Sequence, residues 1–316
     1  MTAALDIGGA KTTLTAVGKG LAPGNSYFNG FSQFDDGFGS HRNDGARHVS
    51  VLDDHDHIFG EKVRFSTEIP DNYAVKDYQV VAPTAMQLFT LGIPCIYYGT
   101  EQAFAGPAQS QIQYVLHEGW KDGNNYGDRY LREAIFGPEH PRANHEQPMA
   151  DQIAELDQSL PGFGPFGTSG KHCFDTESPA YVRLAALCQV RKEHLVLRVG
   201  RQYQRQIRLP HTWFEFPGAG ELVAWSRILD SIEAVCVVNP NGDGFRGGDI
   251  LVDSSISPRG TVFEVVANTA QAAAGEGYGG SHPVGEKNTV TGQSGEPGLL
   301  AIRDIPPCEV LVLVKR

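Results

Sequence analysis

The chain has 316 residues, which is long enough for two domains and a sizeable apolar core. Its net charge of −11 argues against a nucleic-acid-binding groove, because such a groove needs a basic face to replace the counterions of the phosphates. No apolar run reaches the length of about eighteen residues that a membrane-spanning helix needs. A small neutral or cationic ligand fits this composition better than a polyanion.

The cysteines and the N-terminus say little about the compartment. Five cysteines are scattered without a CxxC pair, which predicts small buried side chains rather than a disulfide framework or a zinc site. The stretch MTAALDIGGAKTTLTAV lacks the charged and long apolar regions of a secretion signal. The compartment therefore stays open, with the cytoplasm favoured over secretion, and the sequence does not indicate an oligomeric state.

The first part of the chain, residues 1–202, mixes strand and helix patterns in the way typical of β/α units. Pro83 interrupts one helical pattern, which indicates a kink or a later helix start. Strands separated by a helix and few other residues predict parallel pairing. The predicted strands are 3–7, 48–52 and 93–98, and the predicted helices are 11–19 and 78–91.

The segment 103–177 is irregular, with one predicted helix at 149–160. Loops of this length inside a compact enzyme usually shape a site. A strong helix is predicted to begin after Ser178, because serine is a good N-cap and Pro179 suits the first turn. Gly200 is predicted to end this helix.

From residue 203 to 316 the chain consists almost entirely of strand patterns separated by turn clusters, such as Asn-Pro-Asn-Gly at 239–242. Several strands at this spacing predict an antiparallel β-sandwich domain. The Gly/Ala-rich residues 270–281 are predicted to be a surface loop. The predicted strands are 222–229, 232–238, 262–267, 299–302 and 310–314.

An acidic cluster, Asp-Asp-His-Asp at 53–56, follows the strand predicted at 48–52. In parallel β/α folds, functional side chains lie where strands end and loops begin. A solvated acidic turn is the plain alternative. A metal site using residues 54–57 is another, since Asp and His bind divalent ions, although this spacing alone is weakly specific.

Two segments carry a family resemblance. VLDDHD at 51–56 and GIPCIYYGTE at 92–101 resemble the seventh- and eighth-strand signatures of the α-amylase family of glycoside hydrolases, family 13. Asp54 replaces the asparagine that is usual in the seventh-strand signature. Residues 128–134, 181–194, 222–227 and 304–307 are similar to later parts of family members, so the resemblance covers nearly the whole chain.

The resemblance implies an α/β plus all-β fold. Residues 1–202 would be the C-terminal part of a TIM (β/α)8 barrel, about strands six to eight, with a long loop insertion at 103–177. Residues 203–316 would be the antiparallel β-sandwich domain that follows it. Such a protein would act on an α-glucan or oligosaccharide substrate, without a nucleic acid or membrane partner. No cofactor would be required, and calcium would be possible in the full-length enzyme.

The resemblance also implies a retaining mechanism on α-glucosidic bonds. A nucleophilic carboxylate and an acid lie about 5–5.5 Å apart in such enzymes, and a third carboxylate stabilises the developing positive charge. By position, Asp56 would be that third, catalytic carboxylate. His55 and Arg64 would bind substrate, Arg64 also being a candidate partner of the acidic cluster. Asp53 would help to fix the strand end, as would Asp54.

The other two catalytic carboxylates have no counterpart in this sequence. The family nucleophile lies in a Gly-x-Arg-x-Asp pattern on the fourth strand, and no such pattern precedes Asp53. The acid is a glutamate after the fifth strand, whereas the first glutamate here is Glu61. We therefore expect a truncated chain that is inactive alone. Substrate identity, and hydrolysis as opposed to transglycosylation, stay open.

Two alternatives belong to other functional classes. DIGGAK at 6–11 is similar to the phosphate-binding hairpin of sugar kinases of the actin-like fold, where backbone N–H groups hold ATP phosphates. Short glycine motifs are common by chance, and this reading leaves residues 51–56 and 92–101 unexplained. The other alternative is a non-catalytic carbohydrate-binding remnant that kept the sandwich domain.

Overall fold

A computed structural model describes residues 4–6, 9–33, 48–54, 64–67, 73, 75, 77–103, 175–292 and 296–316. Its first part contains a parallel three-stranded sheet with the strand order β1-β2-β3. This sheet is open in the described part of the chain and does not form a closed barrel. The strands are β1 (Ala4–Asp6), β2 (His48–Val51) and β3 (Ile93–Cys95).

Helices accompany this sheet. The helix α3 (Val81–Phe89) is buried at every position, so its sequence carries no polar face. Pro83 lies in its first turn, where a missing N–H costs no helical hydrogen bond. The later helix start was therefore the correct one of the two predicted alternatives. The other helices are α1 (Gly9–Gly18), α2 (Asn25–Gln33), α4 (Pro179–Glu193) and α5 (Val196–Val199).

The second part is built from two antiparallel sheets. The larger has the order β11-β10-β13-β8-β7-β4, and the smaller has the order β12-β9-β5-β6. A short helix, α6 (Thr269–Ala274), follows β10. The strands are β4 (Arg201–Gln204), β5 (Ile207–Arg208), β6 (Phe214–Glu215), β7 (Val223–Leu229), β8 (Ile232–Val238), β9 (Arg246–Leu251), β10 (Val262–Asn268), β11 (Lys287–Thr289), β12 (Leu299–Ile305) and β13 (Val310–Lys315).

The inner strands of the six-stranded sheet are buried on both faces. Along β7, β8 and β13, alternate side chains belong to two different apolar clusters, because successive residues point to opposite faces. On β13, Val312 joins the cluster that includes α1, α3 and α4, whereas Leu311 and Leu313 join the cluster shared with the four-stranded sheet. The sheet is therefore the middle layer between the helices and the smaller sheet.

One carbonyl at the end of α3 connects the helical layer to this middle sheet. The backbone oxygen of Phe89 accepts hydrogen bonds from the indole Nε1 of Trp225, at 3.0 Å, and from Nη1 of Arg227, at 2.9 Å. Arg227 is fully buried and also donates to the carbonyls of Gly200 and Arg198. Burial lowers the pKa of its guanidinium to about 10. The cation still carries its charge at neutral pH, and carbonyl dipoles replace the water that it lost.

The helix predicted after Ser178 is confirmed. The hydroxyl of Ser178 accepts a hydrogen bond from the backbone N–H of Tyr181, and Pro179 is the first helical residue. The helix ends earlier than predicted, at Glu193, and α5 occupies the stretch before Gly200. The helix predicted at 149–160 lies outside the described residues.

One prediction about the later chain was wrong, and one strand was not predicted. Residues 270–281 are not only a loop, because α6 begins there behind Asn268, whose Oδ1 accepts from the N–H of Gln271 at 3.2 Å. The alanines that resembled a loop composition are good helix formers once an N-cap is present. The strand β9 was missed because Gly247 and Gly248 lower its strand propensity.

The cysteines fit their prediction only in part. Cys236 and Cys308 are buried, as expected of small apolar side chains, whereas Cys95 and Cys188 are exposed. Cys188 lies on the solvent side of α4, and its neighbour Leu187 takes the buried position. All four are free thiols among the described residues.

The domain boundary at residue 202 stays a prediction, and β4 of the six-stranded sheet begins at Arg201. Among the described helices, none combines the length and the apolar character needed to cross a membrane.

We predict that Arg227→Met lowers the free energy of unfolding by about 2–4 kcal/mol, because two buried carbonyls and one partly buried carbonyl lose a donor that methionine cannot replace. Chemical denaturation monitored by tryptophan fluorescence measures the change. Arg201→Met, at an exposed position on β4, is the control and should change stability by less than about 0.5 kcal/mol. Equal effects of the two substitutions would contradict the role given to Arg227.

Candidate functional site

Asp53 lies directly beyond β2 and connects two neighbouring segments. Its side chain is buried, and its Oδ1 accepts a hydrogen bond from the backbone N–H of Phe65 at 2.7 Å. Its Oδ2 accepts from the hydroxyl of Thr100 at 3.0 Å. Thr100 begins the short 3-10 helix after β3, so this carboxylate joins the two signature segments at one edge of the parallel sheet. These contacts match the prediction that Asp53 fixes the strand end.

Asp54 forms an ion pair with Lys11 of α1. Both side chains are partly buried. The replacement of asparagine by aspartate at position 54 therefore coincides with a cation on the neighbouring β/α unit. The sequence contained a signal for this pair, since an additional negative charge in an already acidic cluster needs compensation.

The ion pair between Lys11 and Asp54 also argues against the sugar-kinase alternative. The proposed phosphate turn would need a hairpin whose backbone N–H groups face a ligand. In the structure, Gly9 instead begins the helix α1, and β1 pairs in parallel with β2. Lys11 is engaged by the carboxylate of Asp54. The geometry of this segment therefore does not support nucleotide binding.

Arg64 is almost completely buried and packs against the segment that follows β3. Its guanidinium lies over the ring of Tyr97 at 4.8 Å and over that of Tyr98 at 5.4 Å. Its Nη1 donates to the carbonyl of Tyr98 at 3.0 Å. The two rings meet edge to face at 4.6 Å. Arg64 thereby holds both tyrosines, a role that the sequence reading did not predict.

A sharp backbone turn follows these tyrosines. Gly99 has a φ of 84°, in the left-handed region that glycine adopts without strain, and the 3-10 helix Thr100–Gln102 starts behind it. Glu101 is partly buried in this turn, while Tyr98 is exposed at its rim. The Tyr-Tyr-Gly-Thr sequence thus explains how the chain turns back immediately after β3.

The remaining predicted site residues, His55 and Asp56, lie outside the described residues, as does His57 of the metal alternative. Their roles stay predictions, and so does substrate binding by Arg64. Within the described ranges, no group of three or more His, Cys, Asp or Glu side chains is placed to hold a metal ion.

No protein-family model matches the sequence, and no curated protein sequence matches it significantly. Solved structures do match. An α-amylase from H. orenii superposes with a TM-score of 0.54 at 14% identity, over 99% of this chain and 48% of its own. A cyclomaltodextrin glucanotransferase with a three-domain ABC distribution gives 0.53 at 16% identity, over 96% of this chain and 43% of its own.

A third match is the α-amylase from Geobacillus thermoleovorans, complexed with acarbose, with a TM-score of 0.52 at 15% identity. The match covers 97% of this chain and 46% of that one. This chain thus spans less than half of the length of these three proteins. Over most of its own length, the chain has the fold of the corresponding portion of α-amylase-family enzymes.

We predict different effects for the two adjacent aspartates. Asp53→Ala should lower the free energy of unfolding by about 2–4 kcal/mol, because a buried N–H and a buried hydroxyl lose their acceptor. Asp54→Asn should cost at most about 1 kcal/mol, because its ion pair with Lys11 is partly exposed. Urea denaturation of both variants measures the difference, and a larger loss for Asp54→Asn would refute this ranking.

Proposed function

We propose that this chain is the C-terminal portion of an α-amylase-type glycoside hydrolase or transglycosidase. In this proposal β1, β2 and β3 correspond to strands six to eight of a TIM (β/α)8 barrel, and the antiparallel sheets correspond to the sandwich domain that follows it. The observation that carries the proposal is the hydrogen bond between Asp53 and Thr100. It joins the two segments that resemble family signatures at the carboxyl edge of parallel strands, where active sites of such barrels form.

Asp56 is the proposed catalytic carboxylate of this chain. It follows the described Asp54 by two residues in the sequence. An anion at this strand end would stabilise the positive charge that develops at the anomeric carbon during cleavage of the glycosidic bond. His55 would donate hydrogen bonds to hydroxyl groups of the same sugar.

Arg64 would act mainly by positioning. Its guanidinium is buried against Tyr97 and Tyr98, and Tyr98 is the more exposed of the two rings. Loss of the arginine would release the tyrosines and the turn at Gly99. Direct substrate binding by Arg64 is also part of the proposal, and it would require the guanidinium to reach past these two rings.

The proposed substrate is an α-glucan or a malto-oligosaccharide. Two of the structurally similar proteins are α-amylases and a third is a cyclomaltodextrin glucanotransferase. The overall negative charge of this chain agrees with a neutral substrate. No cofactor is needed for the proposed chemistry, because carboxylates supply the nucleophile, the acid and the stabilising anion.

A second candidate function is carbohydrate binding without turnover. It is favoured by one sequence observation, namely that no Gly-x-Arg-x-Asp pattern precedes Asp53 and no glutamate precedes Glu61. A single carboxylate can bind and stabilise, but it cannot both attack the anomeric carbon and protonate the leaving oxygen. This candidate shares the proposed substrate class and differs in chemistry.

We predict that the purified chain binds acarbose and does not release reducing sugar from starch, maltose or sucrose. Asp56→Asn should weaken acarbose binding about tenfold or more, because in this proposal the carboxylate would face the charged part of a transition-state-like ligand. Titration calorimetry and a reducing-sugar assay measure the two properties. Asp230→Asn, in the exposed turn between β7 and β8, is the matched control.

Two results would count against the proposal. Turnover abolished by Asp56→Asn would show that the chain is active without further carboxylates. Acarbose binding that is equally strong in the wild type, Asp56→Asn and Asp230→Asn would show that Asp56 does not belong to the sugar site.

A further inference from the structure

The four-stranded sheet carries an open cleft on its outer face, away from the six-stranded sheet. The cleft has a volume of about 410 Å³ and lies over β5, β9 and the end of β12. The helices and the strand-end residues lie on the other side of the six-stranded sheet. The cleft is therefore separate from the strand end that Asp53 and Asp54 follow.

A row of side chains crosses this outer face from strand to strand. Asp249 on β9 accepts hydrogen bonds from Nε and Nη2 of Arg208, at 3.2 and 3.0 Å, and from Nη2 of Arg303, at 2.5 Å. The guanidinium of Arg208 also lies 5.0 Å from the ring centre of Phe214, its cross-strand neighbour. Partial burial raises the pKa of Asp249, but the hydrogen bonds and charges of Arg303 and Arg208 together outweigh it and leave this pKa below its usual value. These side chains are fixed before any ligand arrives, which reduces the entropic cost of binding.

The backbone shapes the same cleft. Gly247 lies on the outer face of β9, and a Cβ there would come within 3.0 Å of the carbonyl oxygen of Ile302. His211 and Asp304, which line the cleft, have φ values of 66° and 53°. Non-glycine residues in the left-handed region are uncommon and often occur at ligand sites. His211 and Asp304 both border this cleft.

Donors and an apolar surface are both available to a ligand. Within the described part of the chain, Nη1 of Arg208 and Nη2 of Arg246 donate no hydrogen bond, since the bonds of these arginines use their other nitrogens. Phe245 lines the cleft and leaves 63% of its surface exposed. An exposed ring beside planar polar groups is suited to a flat molecule with one apolar face and hydroxyl groups on its edge.

The charges around the cleft select a neutral ligand. Three guanidinium groups and two carboxylates line the depression, and Glu221, outside the lining, pairs with Arg246, so no excess positive charge is left to attract an anion. The carboxylates of Asp249 and Glu221 are themselves paired with these arginines. The six groups are Arg208, Arg246, Arg303, Glu221, Asp249 and Asp304.

We propose that this cleft is a second carbohydrate-binding site, in which a sugar ring stacks on Phe245 and its hydroxyls bind Arg208 and Arg246. The exposed ring, the available donors and the balanced charge of the cleft indicate a sugar as its ligand. The choice of an α-glucan as its ligand rests on the proposed function. A site on this face would hold a polymeric substrate at a distance from the strand-end site and raise the local substrate concentration there.

The test compares binding of maltoheptaose to the wild-type full chain and to three variants by titration calorimetry. Phe245→Ala should weaken binding about tenfold, because the stacking surface is lost while the exposed position leaves the fold intact. Tyr203→Ala, an exposed aromatic on β4 outside the cleft, should bind like the wild type. Asp56→Asn should leave a component of binding that still depends on Phe245.

Other outcomes discriminate further. Cellohexaose binding that depends on Phe245, without maltoheptaose binding, would support the sugar site and contradict the α-glucan assignment. Binding of inorganic phosphate in place of either sugar would overturn the inference. So would sugar binding that Asp56→Asn abolishes and Phe245→Ala leaves unchanged, or an absence of sugar binding.

Discussion

The burial of the six-stranded sheet on both faces is the constraint on which the described structure depends. One face needs the helices to exclude water, and the other needs the four-stranded sheet, so neither covering layer can be removed without exposing an apolar surface. The hydrogen bonds from Trp225 and Arg227 to the Phe89 carbonyl fix where α3 meets this sheet. They satisfy a helix-end carbonyl that no water could reach.

Long apolar patterns in the sequence were sufficient to predict the central strands. The strand at 232–238 has the observed bounds, and 222–229 differs by one residue, because both are buried on both faces and consist mostly of apolar residues. The short strands β5 and β6 were not predictable, since each contains only two paired residues. The strand β5 depends on pairing with β9, whose glycines lower its strand propensity, and β6 in turn pairs only with β5 among the described strands.

The candidate site was predictable as a location more than as a set of contacts. An acidic cluster after an apolar strand indicated the strand end, and the structure brings this segment next to the turn behind β3. The pairing of Lys11 with Asp54, and the packing of Arg64 on two tyrosines, depend on segments that are distant in sequence. Neither local propensity nor periodicity contains that information.

The two-sided burial has a consequence for how the strands find their alignment. In a sheet with one polar face, sliding a strand by one residue is penalised because apolar groups enter water. Here both faces are apolar, so valines and leucines alone discriminate poorly between alignments. Polar side chains that need a particular partner can discriminate between these alignments. Trp225 and Arg227 reach the helix end only on one face, and Ser226 meets the buried carboxylate of Glu233 only on the other, at 2.6 Å. A shift of one residue would misplace all of them at once.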